Sequence, residues 1–129
     1  MVTSPRLVSR LLLGAVLAAV VTFVPSAVRA SDDVRRTGSC SGTADWRMRA
    51  QGDDQRFELR GRVFNTRSGQ AWTWKITHNG SVSAQGRAVT RDGYFEVRRS
   101  LVDLAGLDHC VFRAERVRTG EVCRGRIDW

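Results

Sequence analysis

The sequence holds little of what an active site usually draws on. Among 129 residues there are two histidines, one tyrosine, three cysteines and a single lysine, Lys75. Neither His78 nor His109 sits in a nucleophile, zinc or nucleotide-binding motif. His109 adjoins Cys110, but successive strand residues project to opposite faces of a sheet, so a Cys-His pair there would diverge. The acidic pairs Asp32-Asp33 and Asp53-Asp54 supply too few oxygen ligands for calcium. Gly42, Gly52 and Gly61 are too scattered to form a phosphate loop. No catalytic, cofactor-binding or metal-ligating residue is expected, and the chain reads as a non-enzyme.

A long apolar run is lacking as well. The stretch from Leu11 to Val24, interrupted only by Gly14 and Thr22, falls short of the roughly 20 apolar residues that a bilayer core requires. Arg6 and Arg10 precede it; Pro25 and Ser26-Ala27-Val28-Arg29-Ala30 follow it. This is the layout of a signal peptide over residues 1–30, cleaved after Ala30 so that Ser31 begins the mature chain. No cysteine stands directly after the apolar stretch to carry a lipid, and no Arg-Arg pair precedes Leu11, which fits general export of an unfolded chain. The expected location is extracellular or cell-wall associated, with membrane contact only through the signal before cleavage.

The remaining chain is long enough for one domain with one modest core. Without Arg6, Arg10 and Arg29 it keeps 18 basic residues against 13 acidic ones, a net charge of +5. Residues 31–38 show no periodicity and read as a flexible leader to a domain over 39–129. From there the period is two. Ala44, Trp46, Met48 and Ala50 alternate with charged residues, and so do Phe57, Leu59, Gly61 and Val63. The alternation returns at Trp72 to Ile76, Val82 to Ala88, Phe95 to Val97, Cys110 to Ala114, and Cys123 to Trp129. Turn residues separate these segments. Asn79-Gly80 is the most specific, since both residues tolerate the positive φ of a type I′ hairpin turn.

Seven short alternating strands predict an all-β, seven-stranded antiparallel β-sandwich of immunoglobulin or fibronectin type III pattern, with a small closed barrel as the alternative. Trp74 on the third strand favours the sandwich. The segment Leu104, Gly106, Asp108, Cys110, Phe112 also matches the corner before the sixth strand, Cys110 standing where a tyrosine is usual. Trp72 and Trp74 share the parity of Ile76, which assigns both indoles to the core rather than to a carbohydrate-stacking platform.

The segments Cys40-Ser41-Gly42, Trp72-Thr73-Trp74, His78-Asn79-Gly80-Ser81 and Gly120-Glu121-Val122-Cys123-Arg124 resemble a group of short secreted actinobacterial proteins of unknown function. That resemblance implies secretion and a compact domain. It carries no activity and no site residues.

Two features carry functional expectations. The first is Arg47, Arg49, Arg60 and Arg62, on the outward parity of two strands that a sandwich places side by side. A cluster of fixed positive charge attracts anionic envelope polymers. Asp45, Glu58 and Glu96 share these faces, so an ordinary mixed-charge surface competes with that reading. Nucleic acid is disfavoured because no aromatic is expected among the arginines. The second feature is a disulfide. Sandwich geometry starts the first and last strands at one end, pairing Cys40 with Cys123 and leaving Cys110 a buried free thiol at the other end. The functional expectation is a secreted binding domain for an anionic envelope component or an extracellular protein. The alternative is an inhibitor or toxin-like module acting through its loops.

Overall fold

Alternating apolar and charged side chains leave this chain one stable arrangement, sheets with one dry face each, and the computed structural model shows two of them. It describes residues 14–15, 18–23 and 33–129; the cleavage site after Ala30 and the start at Ser31 lie outside the described residues. Eight strands follow in order: β1 (Asp33–Ser39), β2 (Asp45–Asp53), β3 (Arg56–Phe64), β4 (Ala71–His78), β5 (Ser81–Val89), β6 (Phe95–Val102), β7 (His109–Arg116) and β8 (Val122–Asp128). One sheet has the order β1-β2-β3-β6 and the other β5-β4-β7-β8, and every pairing is antiparallel.

Eight strands replace the expected seven, because residues 33–39 are a strand and not a leader. β1 pairs along its whole length with β2, from Asp33 opposite Gln51 to Ser39 opposite Asp45. The sequence hides it because its inward parity holds Val34, Arg36 and Gly38, only one of them a sizeable apolar residue. Gly38 is needed as such: a Cβ there would lie 2.6 Å from the Trp46 indole, which packs over that position.

The inward residues of both sheets form a single core. Trp72, Phe57, Phe112, Met48, Leu59 and Ile76 are fully buried, each removing on the order of 1.5–3 kcal/mol worth of apolar surface from water. Phe57 stacks on Trp129 at 5.2 Å between ring centroids, and Trp72 tilts against Phe95 at 6.0 Å. Trp74 is half-buried and packs on this core with its indole beside Gly86. The sheets also approach closely where Gly61 faces Phe112.

Cys40 and Cys123 form the expected disulfide, one just after β1 and the other in β8. Cys110 is a buried free thiol whose pairing with Ile127 places it at the far end of β8 from Cys123. The β4–β5 hairpin closes through Asn79 (φ 49°) and Gly80 (φ 83°), both in the left-handed region as a type I′ turn requires.

Candidate functional site

The register of the first sheet turns its outward side chains into rows. Arg35, Arg49, Arg60 and Arg98 lie opposite one another in turn on β1, β2, β3 and β6. Beside them runs Thr37, Arg47, Arg62 and Glu96. All four arginines expected to gather, Arg47, Arg49, Arg60 and Arg62, therefore meet on two neighbouring strands, and Arg35 and Arg98 extend the cluster. The arginines of both rows, except Arg98, line a cleft of about 290 Å³ together with Thr37 and Glu96.

The four arginines are not equivalent. Arg49 donates from Nε and Nη2 to the two oxygens of Asp33, at 3.0 and 2.9 Å. Those bonds, joined by one from Arg35, hold the Asp33 carboxyl down at about 2. Arg60 is bonded to Glu58. Arg98 takes the carboxylate of Glu96 at 3.1 Å, although Glu96 stands directly opposite Arg62 in the ladder. Among the described residues, Arg47 and Arg62 have no carboxylate within ion-pair distance. They stand opposite each other in the β2–β3 ladder.

Aromatic rings hold these two in place. The Arg62 guanidinium lies 4.0 Å from the centroid of Tyr94, and that of Arg47 lies 5.2 Å from the centroid of Phe64. Nε of Arg62 is buried and meets no hydrogen-bond acceptor. The expectation of no aromatics among the arginines is thus corrected: Phe64 ends β3 on its outward parity and Tyr94 precedes β6. Each ring gives a face to a guanidinium, so they serve as supports for cations. Asp33 lay in the stretch read as a leader, and its role was hidden with β1. The two rings could have been found by extending the outward parity by one residue beyond each strand.

A second polar cluster closes one end of the sandwich. Asp108 is fully buried and accepts hydrogen bonds from His78 Nε2 (2.6 Å), Asn79 Nδ2 (3.3 Å) and the Leu104 backbone N–H (3.1 Å). Burial pushes its carboxyl pKa up, but the bonds from His78, Leu104 and Asn79 outweigh that and hold it below the ordinary value. His78 also lies opposite Cys110 in the β4–β7 ladder. The residues of a Cys-His-Asp set therefore come together here, through His78 and not through the sequence neighbour His109. Cys110 is fully buried, and desolvation with the nearby Asp108 and Asp128 charges pushes its thiol up to about 12, the reverse of the lowered value and exposure of a reactive cysteine. His109 instead bonds Asp128 at 2.6 Å on the surface.

Among the described residues, no group of three or more His, Cys, Asp or Glu side chains is placed to hold a metal ion. In comparisons with protein-family models, curated proteins and solved structures, nothing matches this chain.

Proposed function

We propose that the protein is a secreted, non-enzymatic β-sandwich that binds an anionic polymer of the cell envelope through the arginine cleft of its first sheet. The observation that carries this reading is the pair Arg47 and Arg62. The two arginines stand opposite each other on adjacent strands, their guanidiniums lie over Phe64 and Tyr94, and among the described residues neither has a carboxylate within ion-pair distance. Like charges directly opposite in a ladder destabilise it, and an anion seated between them reverses that sign. A guanidinium offers a planar fork of donors suited to phosphate or carboxylate oxygens. Arg35, Arg49 and Arg60 line the rest of the cleft, and their bonded carboxylates trim the field without removing it.

The disulfide supports an oxidising destination, as do the signal-like features of residues 1–30. The connectivity of β2–β8 supports the immunoglobulin or fibronectin type III-like pattern. β2, β3 and β6 form one sheet, β5, β4, β7 and β8 the other, and the tryptophan-bearing strand β4 stands third among the seven. β1 is then an addition to the edge of the first sheet.

The test is retention of the purified, disulfide-bonded protein on immobilised polyphosphate, eluted by a salt gradient. The Arg47→Ser/Arg62→Ser variant should elute at markedly lower salt than the wild type. Equal elution would leave the sheet face an ordinary solvated surface.

A further inference from the structure

The outward face of the second sheet, unused in the reading above, is more uniformly basic than the first. Lys75 on β4 stands opposite Arg113 on β7, and Arg113 stands opposite Arg124 on β8. Three cations therefore lie in one row across three adjacent strands. At an interstrand spacing of about 4.8 Å, the row spans roughly 10 Å. Arg87 and Arg126 share the face, and all five side chains are exposed.

Neutralising groups are few. Glu115 bonds Arg113 at 3.0 Å, while Asp128 is taken by Arg126 at 3.0 Å and by His109 at 2.6 Å. Among the described residues, neither Lys75 nor Arg124 has a carboxylate within ion-pair distance. A depression of about 530 Å³ opens beside the row, where Lys75, Arg87, Arg113, Thr73 and Gln85 are joined by Trp74 and its neighbour Gly86. A row of like charges compensated only at its centre, where Glu115 meets Arg113, raises the local concentration of anions and is relieved when one lies along it.

The two sheets pack face to face through one core, so their outward faces point away from each other. One short anion cannot reach both. We propose that the Lys75–Arg113–Arg124 row is a second site for a linear phosphate polyanion, so that one domain binds two polymer segments back to back and ties them together. This deepens the polyanion reading of the arginine cleft and rests on it for the first of the two sites. Tethering by two such sites raises overall avidity well beyond either alone.

Inorganic tripolyphosphate, titrated calorimetrically at low salt into the purified disulfide-bonded protein, tests the site count. Two molecules should bind per chain. Lys75→Ser/Arg113→Ser/Arg124→Ser should bind one, and Arg47→Ser/Arg62→Ser should also bind one. All five positions are outward-facing, and an unchanged unfolding midpoint for each variant verifies the fold. Energy transfer between donor-labelled and acceptor-labelled long-chain polyphosphate should appear with wild type and vanish with either variant. One site in the wild type that persists in the Lys75→Ser/Arg113→Ser/Arg124→Ser variant overturns the second site and leaves the arginine cleft standing. One site that is lost in that variant but survives Arg47→Ser/Arg62→Ser overturns both the cleft reading and the bridging that depends on it.

Discussion

Arg47 and Arg62 stand opposite one another in the β2–β3 ladder, each resting on an aromatic ring and, among the described residues, neither meeting a carboxylate. Their neighbours in the next row, Arg49 and Arg60, are an equally close pair, but both are bonded to acids, Asp33 and Glu58. The difference defines where an anion gains most, because only at the first pair does it relieve repulsion without displacing an internal partner.

An anion bound there stabilises the folded state by mass action. Tripolyphosphate at a hundredfold excess over its Kd should raise the unfolding free energy by about 2.7 kcal/mol per site, against a chloride control of equal ionic strength. Thermal unfolding followed by tryptophan fluorescence reads the shift. In Arg47→Ser/Arg62→Ser the contribution of the cleft should be absent.

The Cys40–Cys123 bridge closes a separation of 83 residues. In the chain-entropy model that restricts the unfolded state by roughly 4.5 kcal/mol, a large share of the stability of so small a domain. Cys40→Ser/Cys123→Ser should lower the denaturant midpoint accordingly. Cys110 should resist alkylation in the native protein and react only after denaturation, as a fully buried thiol pushed up to about 12 requires.

Asp108 ties the 103–108 loop to the β4–β5 hairpin through His78 and Asn79, and braces the loop itself through the Leu104 N–H. Asp108→Ala removes the acceptor for all three and should cost about 2–3 kcal/mol. The pH dependence has a defined sign. A carboxyl held below its ordinary value in the folded state contributes stability above the unfolded value of about 3.9 and loses it as pH falls through the folded one. The advantage of wild type over Asp108→Asn should therefore shrink as the pH falls below about 4. An advantage that grew as the pH fell below about 4 would refute the assignment.

Gly61 separates Arg60 from Arg62 on β3 and faces the core, where an added Cβ would lie 2.6 Å from the Phe112 ring. Gly61→Ala should destabilise by about 1–3 kcal/mol through overpacking. It should also weaken polyanion retention to the extent that β3, rather than the Phe112 ring, moves to accommodate the methyl group.

The strands with a continuous dry face were legible because alternation of period two survives without knowledge of partners: Met48 and Ala50, Leu59 and Val63, Trp72 and Ile76 all lie where parity puts them. The same parity set Arg47, Arg49, Arg60 and Arg62 on one outward face. β1 was not legible, since an edge strand that buries little besides Val34 has no apolar rhythm to read. With it went Asp33, and hence the fact that Arg49 is neutralised. The pairing of Asp108 with His78 was hidden for another reason: it joins a loop to a hairpin across 30 residues, which no local pattern encodes.

Binding of anionic envelope polymer by the arginine cleft is read by salt-gradient elution of wild type and Arg47→Ser/Arg62→Ser from immobilised polyphosphate. The wild type should be retained in a salt-sensitive way and the variant should elute early, at an unchanged unfolding midpoint. Coincident elution of two equally folded proteins would contradict it.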